Sequence, residues 1–94
     1  MCNARYFSYL PGERVIKHID GADKLTSAVL YLTKDWQPAC SGELEVDFEG
    51  QTVAIRPLRG RVVIVGPDVP HGSRAVASGT RTCIVFFYAR SPAG

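Results

Sequence analysis

Along its whole length, this sequence consists of short apolar runs separated by turn-forming residues. The runs are rich in Val, Ile, Phe and Tyr, and the segments between them contain Gly, Pro or Asp, as in PG, GAD, EG and ASG. Such runs favour β-strands, and their regular spacing is typical of all-β domains. No segment shows the helical period of 3.6 residues over a helical length. We therefore predict an all-β domain of about seven or eight strands, as a sandwich, barrel or jelly roll.

The predicted strands are RYFSYL, RVIKHI, LTSAVLYL, ELEVDF, QTVAIRP, GRVVIVG and RTCIVFFYA, with GSRAV as a further candidate. Side chains of a strand alternate between its two faces. Two sets should therefore each share a face: Ser27, Val29 and Tyr31 in one run, and Arg81, Cys83, Val85 and Phe87 in another. The opposite faces of these two runs are also apolar, so we expect both of their faces to be covered.

Length and composition indicate one domain, residues 1–94, with a formal net charge of +2. That charge is too small to indicate nucleic-acid binding. The three cysteines, Cys2, Cys40 and Cys83, form no CxxC pair, which fits a reducing compartment better than a disulfide framework. No apolar run approaches the roughly 18 residues that span a membrane. We expect a cytoplasmic protein without membrane or nucleic-acid partners.

His18 and Asp20, in HID, are two residues apart and would share one face of an extended strand. The only other histidine, His71, is far along the chain, so the fold would have to bring the three together. Two imidazoles and one carboxylate form the facial ligand set of non-haem iron sites. Alone, the HxD pair is a weak signal, because a His and an Asp near a strand end are more often simply solvated or ion-paired.

Arg81 opens an apolar run in which its guanidinium would be partly buried and would need an anionic partner. No Asp or Glu follows His71 in the sequence. The partner would be either an earlier acidic residue or the carboxylate of a bound small acid. Tyr31 would add its hydroxyl group to that carboxylate, or would be an ordinary core tyrosine.

Together these residues resemble the 2-oxoglutarate- and Fe(II)-dependent oxygenases, and among them the prolyl hydroxylase branch. The resemblance begins at YLPGERVIKHID, continues through SAVLYLTKDWQPACSGELEV, and ends with IRPLRGRVVIVGPDVPHGSRAVASGTRTCIVFFY. It covers the chain from about Tyr6 to Tyr88. The segment YLTKDW is similar to that of the oxygen-sensing prolyl hydroxylases and their bacterial relatives.

The resemblance implies a double-stranded β-helix, or jelly roll, and a set of site residues. The implied metal ligands are His18, Asp20 and His71, and the implied clamp for the far carboxylate of 2-oxoglutarate is Arg81 with Tyr31. Tyr9 would line the co-substrate pocket and Phe87 would lie near the substrate. The implied cofactors and co-substrates are Fe(II), 2-oxoglutarate and O₂, with ascorbate as a further candidate.

The implied activity is hydroxylation of an unactivated C–H bond, in the first place of a prolyl residue in a peptide or protein. Two alternatives stay open: a small-molecule hydroxylase of the same superfamily, and a catalytically silent module that binds a metal or another protein. The sequence departs from the family where Val15 replaces a tyrosine and where SGE has one glycine instead of two. Family members also have helices and strands ahead of this region. We therefore expect a homo-oligomer, or a second chain that covers the outer face of the larger sheet.

Overall fold

The computed structural model describes residues 2–19 and 25–89, which form two antiparallel β-sheets. The strands are β1 (Cys2–Tyr9), β2 (Leu25–Tyr31), β3 (Leu44–Phe48), β4 (Gln51–Ile55), β5 (Val62–Val65), β6 (His71–Ser73) and β7 (Arg81–Ala89). The larger sheet has the order β1-β7-β2-β5 and the smaller one β4-β3-β6. The prediction of an all-β jelly roll is confirmed. No helix of the described part is long and apolar enough to cross a membrane.

The predicted strand RVIKHI is wrong as a continuous strand. Within it, His18 alone forms a β-bridge, to His71 of β6. Three residues earlier, Val15 donates its N–H to the Ser73 hydroxyl instead of to a backbone carbonyl. The segment 15–18 is therefore hydrogen-bonded to β6 at Val15 and His18, without a regular ladder. Of the candidate strand GSRAV, the first two residues belong to β6, which ends at Ser73. A short 3-10 helix at Pro38–Cys40 interrupts the KDWQPAC loop.

The core lies between the inner faces of the two sheets. Its most buried cluster contains Val29, Tyr31, Leu44 and Cys83. β2 and β7 are paired so that Val29 faces Val85 and Tyr31 faces Cys83. The two predicted sets of residues, 27/29/31 and 81/83/85/87, all line one cavity between the sheets. The predicted alternation in both strands is confirmed.

The outer faces of the two sheets differ in character. On the larger sheet, Tyr6, Val62 and Ile64 are 63%, 55% and 72% exposed. On the smaller sheet the outer face is polar, and Arg74 forms ion pairs with Glu43 and Glu45. The larger sheet thus presents the apolar outer surface that its sequence pattern indicates. What covers that surface stays a prediction.

Gly72 allows the segment that carries His18 to lie directly against β6. A Cβ atom placed on Gly72 would be 2.8 Å from the Lys17 nitrogen, 2.8 Å from the Val15 oxygen and 2.9 Å from the Lys17 Cα. These are backbone atoms, so the segment would have to move as a whole to make room. Position 72 therefore requires glycine, whose side chain is a single hydrogen atom, where the segment meets β6.

We predict that Gly72→Ala lowers the free energy of unfolding by about 1–3 kcal/mol, the typical effect of overpacking. The matched control is Gly66→Ala, because a Cβ there would meet only the Val69 side chain at an ordinary 3.8 Å. Urea unfolding of both variants measures the difference. Equal stability of Gly72→Ala and the wild-type protein would contradict this interpretation of the contact.

Candidate active site

His18 and His71 are brought together by a reciprocal pair of backbone hydrogen bonds. The N–H of each donates to the carbonyl oxygen of the other, both at 2.9 Å. Residues opposite each other in an antiparallel pair project their side chains to the same side. The two imidazole rings accordingly lie with centroids 4.5 Å apart and planes tilted by 52°. Residues separated by more than 50 positions in sequence thus become neighbours.

Each of these imidazoles is oriented by a carbonyl group two residues earlier in the chain. The His18 Nδ1–H donates to the Ile16 oxygen at 2.9 Å, and the His71 Nδ1–H donates to the Val69 oxygen at 2.8 Å. A carbonyl oxygen can only accept, so in each neutral ring the lone pair is on Nε2. Histidines that bind metals use the same arrangement, in which the second ring nitrogen donates to a fixed acceptor. Both rings are thus in the tautomer that binds a divalent metal through Nε2.

Asp20, the predicted third ligand, lies outside the described residues. Within residues 2–19 and 25–89, no three His, Cys, Asp or Glu side chains converge on one point. The structure therefore brings together two members of the predicted ligand set. The complete set of His18, Asp20 and His71 stays a prediction.

A cavity of about 230 Å³ extends from the histidine pair into the core. Six of the residues identified from the sequence line it: Tyr9, His18, Tyr31, His71, Arg81 and Phe87. One water molecule occupies about 30 Å³ of liquid volume. The cavity is therefore large enough for a small organic acid, and most of the rest of its wall is apolar, with Val29, Leu44 and Cys83.

Arg81 is buried in the wall of this cavity, with 4% of its surface exposed. One terminal nitrogen, Nη1, donates to the Gly42 carbonyl at 3.0 Å, and the guanidinium carbon lies 4.2 Å from the centre of the Tyr9 ring. Among the described buried side-chain atoms, Arg81 Nε lacks a hydrogen-bond partner. Arg81 also has no ion pair within that part of the chain. A salt bridge to an earlier acidic residue, one of the two alternatives for Arg81, is therefore not found there.

A buried guanidinium with an unsatisfied donor is costly unless an anion completes its hydrogen bonds. The planar fork of an arginine matches a carboxylate in particular. The donor set of Arg81 therefore fits the far carboxylate of 2-oxoglutarate.

Two tyrosines supply neutral hydroxyl groups next to this guanidinium. Burial raises the pKa of Tyr31, and the neighbouring Arg81 offsets only part of that effect. Burial also raises the pKa of Tyr9. Both phenols therefore keep their protons at neutral pH and can donate to an anion. Tyr31, 1% exposed, is at the same time a core residue, so the two interpretations of this tyrosine are compatible.

Sequence reasoning missed several parts of the site. Ser73 lines the cavity and accepts the Val15 N–H through its hydroxyl group at 2.9 Å. Alternation along HGS could have predicted it, because Ser73 is two residues from His71. The Gly42 carbonyl that holds Arg81 has no signal in the sequence, since every residue has such a group. Val15, the departure from the family, lines the cavity with an apolar side chain.

Comparisons with known proteins agree with this geometry. A family model described as the 2OG-Fe(II) oxygenase superfamily matches residues 4–89. Prolyl 3-hydroxylase 1 of Gallus gallus is 35% identical over 68 residues, which are 70% of this chain and 9% of that protein. A Pseudomonas putida prolyl-4-hydroxylase superposes with a TM-score of 0.88 at 28% identity, over 96% of this chain and 52% of that one.

A prolyl hydroxylase of Trichoplax adhaerens, solved with a peptide fragment of the hypoxia inducible factor oxygen degradation domain, shares the fold. Its TM-score is 0.79 at 23% identity, over 94% of this chain and 42% of that one. This chain thus spans about half the length of these solved relatives or less. The family match nevertheless covers most of this chain, from β1 to β7. The chain belongs to the 2-oxoglutarate- and Fe(II)-dependent oxygenase superfamily, in its prolyl hydroxylase-like branch.

Proposed function

We propose that this chain is the catalytic core of a 2-oxoglutarate- and Fe(II)-dependent dioxygenase that hydroxylates a prolyl residue of a peptide or protein. The observation that carries the proposal is one cavity with a histidine pair and a buried arginine with an unsatisfied donor in its wall. The histidine pair suits a divalent metal, and the buried arginine suits a carboxylate.

Fe(II) would be held by Nε2 of His18, Nε2 of His71 and the Asp20 carboxylate. Two imidazoles and one carboxylate suit Fe(II) and leave other coordination positions open. With 2-oxoglutarate and O₂, the iron supplies the oxidation that replaces C–H by C–OH and converts 2-oxoglutarate to succinate and CO₂. The carbonyl groups of Ile16 and Val69 keep both rings in the required tautomer.

Arg81 would bind and orient 2-oxoglutarate by its far carboxylate. Nη1 is already held by the Gly42 carbonyl, so Nε and the remaining terminal donors can form a bidentate pair with the anion. The Tyr9 ring lies over one face of the guanidinium and keeps its plane fixed. Tyr31 would donate its hydroxyl hydrogen to the same carboxylate. The apolar wall excludes water and strengthens these contacts.

A prolyl substrate is supported by the relatives and by the cavity wall. The avian and bacterial relatives are named as prolyl hydroxylases, and the Trichoplax structure contains a peptide. Phe87 lines the cavity and offers an aromatic surface against which an apolar pyrrolidine ring could pack. None of the assigned residues has to act as a general base, so the absence of a third histidine does not conflict with the proposal.

We predict that His71→Ala and Asp20→Ala abolish succinate formation, because each removes one of three metal ligands. Asp68→Ala is the matched control, since Asp68 is an exposed loop carboxylate. Succinate is quantified by mass spectrometry after incubation with Fe(II), 2-oxoglutarate and a proline-containing peptide. Unchanged turnover in either ligand variant would refute the ligand assignment, and a wild-type protein without turnover would favour a silent binding module.

We predict that Arg81→Lys raises the KM for 2-oxoglutarate by about 10- to 100-fold. Lysine keeps the charge but loses the planar fork, and hydrogen bonds to charged groups contribute about 1.5–3 kcal/mol. The control is Arg59→Lys, in an exposed turn. Initial rates at varied 2-oxoglutarate concentration measure the effect, and thermal unfolding checks that the variant is folded. An unchanged KM in a folded Arg81→Lys protein would exclude the proposed carboxylate contact.

A further inference from the structure

Arg5 lies on the inner face of β1, next to the residues that line the cavity. Phe7 and Tyr9, two and four residues further along β1, both line it. Alternation places Arg5 on the same face, while Tyr6 lies on the other. The register pairs Arg5 with Val85 of β7, which is also a cavity residue. Arg5 itself is exposed and belongs to an edge strand, so its side chain is accessible from solvent at the rim.

The positive charge of Arg5 is not neutralised within the described part of the protein. Lys17 is paired with Asp47 at 2.8 Å, and Arg74 is paired with two glutamates at 3.2 Å. Arg5 has no ion pair among residues 2–19 and 25–89. The four strands of its sheet, β1, β7, β2 and β5, contain no Asp or Glu at all. The inner wall of this sheet therefore carries two guanidinium groups, those of Arg5 and Arg81, without an acidic residue.

The backbone positions of Arg5 and Arg81 lie far apart along the sheet. Tyr9 is paired with Arg81 and Arg5 with Val85, so the two arginines lie four residues apart along the sheet. At about 3.3 Å per residue this is roughly 13 Å between backbone positions. 2-Oxoglutarate has a chain of five carbon atoms, which is shorter than the six backbone atoms of two residues. Two fully extended residues span at most about 7 Å. Since the proposed function places one end of 2-oxoglutarate at the metal and the other at Arg81, Arg5 is left for a second anion.

We propose, on the basis of the proposed function, that Arg5 is a specificity-determining residue that binds an acidic side chain of the peptide substrate. Its guanidinium fork would pair with an Asp or Glu carboxylate close to the target proline. The positive charge of Arg5, which no acidic residue in the four strands of this sheet offsets, would also favour the approach of an acidic peptide. The substrate class is then a proline flanked by acidic residues.

The test compares three peptides that differ only in the two residues flanking one proline: Glu, Gln or Lys. Their dissociation constants are measured at low salt by fluorescence anisotropy, with the protein holding Fe(II) and 2-oxoglutarate in the absence of O₂. The Glu peptide should bind about fivefold more tightly than the Lys peptide, the upper range for an exposed ion pair. Arg5→Gln should remove the difference and Arg5→Glu should reverse it. Arg59→Gln, a matched change in an exposed turn, should preserve it.

Equal binding of the three peptides, binding of none, or a Glu preference that survives in Arg5→Gln would overturn the assignment. Thermal unfolding of each variant verifies its fold. The proposed function is measured separately, by succinate formation. Succinate formation without a charge preference refutes only the role of Arg5, whereas a charge preference without succinate formation refutes only the catalytic proposal.

Discussion

The reciprocal backbone hydrogen bonds between His18 and His71 are the contact on which the site depends. They join a segment outside the regular strands to the short strand β6, and they set the distance between the two imidazole rings. Gly72 makes the approach possible because a Cβ there would meet backbone atoms of the segment. A single antiparallel contact thus fixes the positions of two groups that the chain separates widely.

A second constraint acts at Arg81. Its burial brings a positive charge into a largely apolar wall, where the guanidinium donates one hydrogen bond to the Gly42 carbonyl and lies over the ring of Tyr9. Such a charge is tolerated when an anion completes its hydrogen bonds. The jelly roll therefore holds a histidine pair and a buried guanidinium in the wall of one cavity, together with apolar side chains.

The alternation of side chains along a strand predicted the features that depend on the geometry of a single strand. Alternation correctly placed Ser27, Val29 and Tyr31 on one face, because that pattern is a property of the strand itself. The strand predicted at RVIKHI was wrong, because a strand needs a continuous ladder and this segment is hydrogen-bonded to β6 at Val15 and His18 without one. The Gly42 carbonyl and the close approach over Gly72 could not be predicted, since both are backbone contacts between distant segments. The placement of Asp20 stays a prediction.

We infer that this chain assembles a metal site and a 2-oxoglutarate site in one cavity. Anaerobic titration of the folded protein with Fe(II) and 2-oxoglutarate tests it most directly, by the weak visible charge-transfer band of the chelated complex. We predict a band that requires both components and saturates at one equivalent of Fe(II) per chain. A folded sample that shows no band at saturating Fe(II) and 2-oxoglutarate would contradict it.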